Sequence, residues 1–101
     1  MSKNDQPIDA QITAGTRLLM AAEMVGDRDD HASWRARRDA WVAETERALR
    51  SLPDALPLDA FKATAVTPAA NNDVTTDLAA ELTVLRSCLS VLLLHAQAPS
   101  E

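Results

Sequence analysis

The clearest structural signal lies in residues 73–96, which read DVTTDLAAELTVLRSCLSVLLLHA. Apolar side chains recur there at spacings of three and four residues, the pattern of one side of a helix. They are Val74, Leu78, Leu82, Leu85, Leu89, Leu92 and Ala96. Val84, Cys88, Val91 and Leu94 make the opposite side apolar as well. A helix that is apolar all round must be covered on more than one side, and we expect one edge to lack cover within this chain.

Three further helices and no strand are predicted from the rest of the sequence, because no stretch alternates apolar and polar residues between turns. The four predicted helices cover residues 7–25, 31–52, 58–63 and 73–96. The expected fold class is therefore all-α, a small bundle of three long helices plus one short helix. Residues 7–96 are predicted to form this single bundle, with residues 1–6 and 97–101 as flexible ends.

Turn and cap residues set the predicted boundaries. Gly26 is expected to end the first helix in a left-handed conformation. Asp29 or Asp30 is expected to cap the second helix, whose end is set by Pro53. Any residue from 73 to 76 could cap the last helix.

The second helix carries the two tryptophans of the chain, Trp34 and Trp41, seven residues apart and therefore on one face. Charged residues occupy the other face, so the helix is amphipathic and packs against a neighbour. We expect both tryptophans in the core, with Phe61 of the short helix placed against them. A nucleic-acid platform of tryptophan and arginine is the less favoured interpretation, because acidic residues cancel much of the local charge.

Composition narrows the function classes. The chain has 101 residues, 10 basic against 15 acidic side chains and a net charge of −5. That length suits one domain, and that charge disfavours nucleic acid and anionic membranes as partners. The single Cys88 cannot form an internal disulfide and fits a cytoplasmic protein. The longest apolar run, residues 88–94, is interrupted by Ser90 and is too short to span a bilayer, so no membrane partner is expected.

No motif in the sequence predicts an enzyme. A glycine-rich phosphate loop, a serine nucleophile elbow and paired cysteines are all missing from the sequence. We therefore predict no catalytic, cofactor-binding or metal-binding residue. His31, Cys88 and His95 are the only soft metal ligands, and a metal-dependent enzyme that uses them is a third, less favoured hypothesis.

Arg38 projects from the apolar face of the second helix, close to the direction of Trp34. One interpretation is structural: the guanidinium lies on the tryptophan ring or reaches a carboxylate such as Glu23, Asp77 or Glu81. The other is functional, since tryptophan and arginine dominate the hot spots of protein interfaces. The sequence leaves both open.

The order of these features resembles the small helical leader modules that precede effector domains in bacterial anti-phage and signalling proteins. The resemblance covers residues 12–95 and is carried by Trp34-Arg35-x-Arg37-Arg38-x-x-Trp41, by Phe61, and by Leu78-x-x-x-Leu82-x-x-Leu85-Arg86-x-x-Leu89. It implies self-assembly or recruitment, with no catalytic residues. No effector domain follows here, so the chain is expected to be a stand-alone partner or a detached module.

The preferred functional prediction is a non-enzymatic interaction or oligomerisation module, an adaptor in a bacterial defence or signalling system. Its partner is expected to be another protein or a second copy of the chain. The candidate interface residues are Val84, Cys88, Val91, Leu94 and Arg38. The alternative is a small acidic inhibitor, similar to an antitoxin, that masks a basic partner, because acidic side chains can steer the encounter with a cationic surface.

Overall fold

The computed structural model describes residues 6–68 and 70–96, and in them the chain is helical with no strand. The helices are α1 (Gln6–Ala21), α2 (Arg28–Arg50), α3 (Leu56–Thr64) and α4 (Val74–Ala96), and a short 3-10 turn, Ala22–Met24, continues α1. The predicted fold class, three long helices plus one short helix, is confirmed. The expected flexible ends lie outside the described residues, except that Gln6 is already part of α1.

The bundle is elongated, 46 × 23 × 18 Å, with α1 packed against both α2 and α4. The short α3 packs on α4 and α2. Trp41 of α2 meets Phe61 of α3 edge to face, with ring centres 5.7 Å apart and planes at 68°. This is a favourable aromatic arrangement, and all three aromatic residues, Trp34 included, are buried as predicted.

Both buried indoles donate a hydrogen bond to the backbone of α1. Trp34 Nε1 lies 2.9 Å from the carbonyl oxygen of Leu18, and Trp41 Nε1 lies 2.8 Å from that of Gln11. A buried indole N–H without a partner would cost free energy. The two bonds therefore fix how α1 lies along α2.

A glycine lets α1 approach both long neighbours closely. A Cβ atom added at Gly15 would lie 2.6 Å from Cδ2 of Leu89 in α4 and 2.7 Å from Cζ2 of Trp41 in α2. Both distances are well inside van der Waals contact, so this position on α1 accepts no side chain without rearrangement.

The connection between α1 and α2 differs from the prediction. Gly26 does not adopt a left-handed conformation; α1 ends instead through the 3-10 turn and an extended Val25 (φ −76°, ψ 114°). The cap of α2 is Asp27, whose carboxylate accepts the N–H of Asp30 at 2.8 Å. Asp30 in turn accepts the N–H of Gly26 at 3.0 Å. The expectation that Asp29 or Asp30 is the cap was wrong, because α2 begins three residues earlier than predicted.

The irregular segment between α2 and α3 was expected to cover residues 51–57, and in the structure it covers residues 51–55. Pro57 occupies the first turn of α3, where a helix needs no N–H from that residue. α3 therefore begins at Leu56, two residues before the predicted start. At the last helix the prediction was closer, since Asp73 precedes α4 and accepts the N–H of Thr76 at 3.0 Å.

Candidate interaction surface

The outer face of α4 is defined here as the exposed residues of that helix. They are Thr75, Thr76, Ala79, Thr83, Arg86, Ser87, Ser90, Leu93 and Leu94. Arg86 is the one charged residue among these nine. Two of them are large and apolar, since Leu93 is 43% and Leu94 is 70% exposed. A helix face directed at water is normally rich in charge, so this composition is unusual for an uncovered surface.

Two of the five hydroxyl groups on the outer face of α4 bond to carbonyl groups of the helix itself. Thr83 donates to the carbonyl oxygen of Ala79 and Ser87 donates to that of Thr83, both at 3.1 Å. These hydroxyls do not depend on water for a partner. Another surface could therefore cover them without stranding a buried polar group.

The five predicted interface residues do not form one exposed surface. Leu94 is exposed, Val84 and Val91 are partly buried, and the Arg38 side chain is 12% exposed. Cys88 is only 1% exposed and belongs to the core, so the expectation that it lies on an uncovered edge was wrong. Residues of α2, among them Trp41 and Val42, and residues 65–67 after α3 line a common groove with Cys88, so both segments lie beside α4 at this level. Burial also raises the pKa of the Cys88 thiol to about 11.

Three of the five, Arg38, Val84 and Cys88, meet in one groove between α2 and α4. Residues 65–67 close the groove on its outer side, and Trp41 also lines it. The volume of the groove is about 110 Å³. Sites for metabolites and cofactors usually measure about 300–1,000 Å³, so this groove is the size of a single side chain. Val91 and Leu94 lie outside its lining.

A buried carboxylate joins α2 to α4. Glu81 of α4 is 3% exposed, and its Oε1 lies 2.6 Å from Nε2 of His31. Its Oε2 accepts a hydrogen bond from Nε of Arg35 at 2.5 Å and lies 3.5 Å from Nη1 of Arg38. His31, Arg35 and Arg38 therefore converge on one acidic group, which satisfies the rule that buried charges are paired.

Arg38 makes both of the intramolecular contacts that the sequence suggested. Its guanidinium carbon lies 5.9 Å from the ring centre of Trp34, within the range of a cation–π contact. Of the three carboxylates considered as partners, Glu81 is the one it approaches. It also donates to the neighbouring Asp39 at 2.7 Å. The structural interpretation of Arg38 thus holds within the chain.

A second acidic residue of α4, Asp77, binds the backbone of the segment that precedes the helix. Its Oδ1 accepts the backbone N–H of Asn71 at 2.7 Å, and its Oδ2 lies 3.9 Å from Nη2 of Arg35. Asn72, next in the chain, has a φ of 60°, the left-handed region that asparagine tolerates. Asp77 therefore holds the end of this segment against the start of α4.

Sequence reasoning did not anticipate that His31 and Arg35 share the Glu81 carboxylate. The available signal was spacing. Residues 31, 35 and 38 fall on one stripe of a helix, and so do Asp77 and Glu81. Two complementary charged stripes on packed helices predict a pairing of this kind.

Within residues 6–68 and 70–96, no three His, Cys, Asp or Glu side chains are placed to share a metal ion. By length and composition α4 is apolar enough to cross a membrane, which the short run at residues 88–94 did not predict. Core helices of water-soluble proteins, which are mostly buried, meet the same criterion, whereas 28% of the apolar window of α4 is buried. This helix also carries Asp77 and Glu81, which are buried and paired with residues of α2.

Comparisons of this chain with protein-family models, with curated proteins and with solved structures find no match.

Proposed function

We propose that the protein is a non-enzymatic helical association module and that it binds another protein surface through the outer face of α4. The observation that carries this proposal is the composition of that face: one charge among nine exposed residues, with two exposed leucines. Exposed apolar side chains that lie side by side, as Leu93 and Leu94 do, are typical of sites of interaction. The hydroxyl groups of Thr83 and Ser87 support the same proposal. They already donate hydrogen bonds to carbonyl oxygens of α4, so a partner can displace the water around them without leaving these donors unpaired.

The polar groups inside the bundle support a structural task rather than a catalytic one. His31, the residue best suited to proton transfer, is 6% exposed and paired with Glu81. Cys88 is buried, and its raised pKa keeps the thiol protonated near neutral pH, the form that is a poor nucleophile. The small groove beside it has room for one side chain, such as an anchor from a partner.

The cellular setting belongs to the proposal as well. The resemblance to leader modules supports an accessory role in a bacterial defence or signalling system, and a cytoplasmic location follows from the same proposal. In that setting the module recruits a partner or assembles with copies of itself, and it contributes no chemistry of its own.

The proposal is tested by placing a light-activated crosslinking amino acid at Ser90, in the middle of the outer face of α4. Ala40, exposed on α2, is the matched control position. Irradiation of the producing cells is expected to give a discrete crosslinked protein from position 90 and none from position 40. Equal labelling from the two positions, or none from either, would overturn the proposal.

A charge variant gives a second readout on the same surface. Ser90→Glu with Leu94→Glu changes two exposed residues, whereas Val91→Glu would also disturb packing, because Val91 is partly buried. The double variant should remain folded by circular dichroism and lose the crosslinked product. Ala40→Glu with Ala43→Glu on α2 is the matched control and should keep it.

A basic partner, as in the acidic-inhibitor alternative, is favoured by a different surface. Met24 is 82% exposed and lies in the segment of residues 23–30, which contains four carboxylates and one arginine, and Met20 of α1, which precedes this segment, is 64% exposed. Exposed methionines suit adaptable binding surfaces, and carboxylates attract cationic partners. This function ranks second because Asp27 and Asp30 already serve the capping of α2.

A basic amphipathic peptide is a suitable probe of this second function. Its binding should weaken at least about tenfold from low to high salt and should also weaken in Met24→Ser. Binding that does not depend on salt, or no binding at all, would remove the acidic-inhibitor function.

A further inference from the structure

We propose that the outer face of α4 is covered by a second copy of this chain, with the two α4 helices antiparallel about a two-fold axis between Arg86 and Ser87. This inference rests on the proposed function and names the partner. It is carried by two properties of the face: where its large and small side chains lie, and which charges it lacks.

The outer face of α4 is complementary to itself in size. The large exposed side chains, Leu93 and Leu94, lie at the end of the helix, and the small Ala79 and Thr83 lie toward its start. A two-fold interface brings the same surface together twice, so residue i meets residue j and j meets i. The antiparallel arrangement sets Leu94 against Ala79 of the other copy and Ser90 against Thr83, so that large groups fill the space left by small ones. A parallel arrangement would set large against large and leave a gap at the small end.

Charge favours the same face for self-association. Two copies that each carry a net charge of −5 repel one another, and a face with exposed carboxylates would add local repulsion. The outer face of α4 has none among its exposed residues, whereas that of α2 exposes Asp29, Asp30, Asp39 and Glu44. The single cation of this face, Arg86, lines a surface pocket together with Leu19 and Leu82 and with Glu23 of the 3-10 turn after α1.

The size of the contact sets the expected strength. Ala79 to Leu94 spans 16 residues, or about 24 Å of helix. One helix pair of this length buries less surface than a stable, standard-sized interface of about 1,200–2,000 Å². The dimer should therefore depend on concentration, with the 10.9 kDa monomer recovered on dilution.

Cysteine crosslinking of the full-length chain tests the arrangement. Ser87→Cys lies beside the two-fold axis, so its thiol should meet its own copy. Thr76→Cys lies near the far end, where the two copies of position 76 would be about 31 Å apart along the helices. Ala40→Cys on α2 is the exposed control, and the wild-type chain, whose Cys88 is buried, sets the background.

The expected result is a disulfide-linked dimer that forms at least about tenfold faster from Ser87→Cys than from Thr76→Cys or Ala40→Cys. Equal rates from positions 87 and 76 would indicate parallel helices and overturn the antiparallel axis. No acceleration at position 87, with a mass of one chain by light scattering at every concentration, would overturn the second copy as partner.

Two further outcomes separate this inference from the proposed function. A crosslink from position 90 whose mass is not twice that of the chain would exclude a second copy and leave the association function standing. A monomer that sediments with neutral phosphatidylcholine vesicles, and that loses this property in Ser90→Glu with Leu94→Glu, would assign the face to a membrane and overturn both.

Discussion

Helices α2 and α4 have the same length, 23 residues, but they distribute their charges in opposite ways. α2 buries Trp34 and Trp41 and exposes thirteen residues, of which eight are charged. α4 buries the carboxylates of Asp77 and Glu81 and exposes nine residues, of which one is charged. One helix thus has the arrangement expected beside water, and the other has its acidic groups turned inward.

The difference shows why the outer face of α4 is bare of carboxylates. Its acidic side chains are engaged by cations of α2, above all by Arg35 and Arg38. The arginine-rich stretch of α2 is correspondingly less available to an external anion than its sequence suggests. An internal ion-pair cluster therefore leaves one long helix with an outer surface that carries a single charge, that of Arg86.

The strongest way to break this arrangement is Glu81→Gln, which leaves His31, Arg35 and Arg38 around a neutral group. Removing one partner of a buried ion pair costs about 3–5 kcal/mol of unfolding free energy. Because the Arg35 side chain is 38% exposed and keeps access to water, we expect the lower end, about 3 kcal/mol. Urea unfolding followed by circular dichroism measures it.

Glu44→Gln on the exposed face of α2 is the matched control, with an expected change below about 0.5 kcal/mol. If Glu81→Gln and Glu44→Gln had equal effects, the buried cluster would contribute no more than a surface charge.

Much of the fold could be predicted from the sequence because apolar periodicity reports which side of a helix is buried. The stripe of Trp34 and Trp41 and the place of Phe61 followed from it, and so did the number of helices. The ends of the helices were harder to predict. Asp27, Asp29 and Asp30 offer similar capping chemistry, and only the path of the chain selects Asp27.

The candidate site was less predictable. An irregular segment that covers one side of a helix has no periodic sequence pattern, so the sequence does not show which side it covers. Cys88 and Leu94 belong to the same apolar side of α4 in the sequence, yet one is buried and the other is 70% exposed. The segment after α3 passes Cys88 and not Leu94. Glu81 was foreseen only as one of three possible partners of Arg38, since periodicity does not say which helices face each other.

The next largest loss of stability is expected from a substitution at Gly15, where both α2 and α4 come close to α1. Gly15→Ala would place a methyl group against Leu89 of α4 and Trp41 of α2. Overpacking of this kind costs about 1–3 kcal/mol, even though alanine is the better helix former by about 1 kcal/mol. The midpoint of urea unfolding should therefore fall.

Gly26→Ala is the control for the glycine substitution. Gly26 has no positive φ, and the nearest atom to an added Cβ is Asp30 Oδ2 at 3.6 Å. Its stability should be close to that of the wild type. Equal losses of stability in Gly15→Ala and Gly26→Ala would show that the close approach of the neighbouring helices to Gly15 is not the cause of the loss.

A pH effect on α4 follows from Cys88. Its pKa is raised by burial from 9.0 to about 11, so the folded protein holds this proton more tightly than the unfolded chain. The corresponding stability is complete below pH 9 and is lost as the pH rises toward 11. At pH 10 the loss relative to pH 7 should be about 1.4 kcal/mol.

Cys88→Ala isolates this contribution, because other groups titrate identically in both proteins. The gap in unfolding free energy between wild type and Cys88→Ala should narrow from pH 8 to pH 10. A constant gap over that range would mean that Cys88 titrates alike in the folded and unfolded states.

The smallest expected effect concerns a feature that α2 and α4 share, an aspartate cap. Asp73 accepts both the hydroxyl of Thr76, at 2.5 Å, and its N–H, at 3.0 Å. Both hydrogen bonds lower the pKa of Asp73, and the bond from the Thr76 hydroxyl contributes more than the bond from its N–H. Stability from this carboxylate is therefore present above its ordinary pKa of 3.8 and is lost as the pH falls below it. Asp73→Asn keeps a hydrogen-bond acceptor at the cap but does not titrate. The unfolding free energy of the wild type should therefore fall slightly more between pH 5 and pH 3 than that of Asp73→Asn. If the unfolding free energies of the two proteins fell in parallel, the acid sensitivity of the bundle would come from other groups.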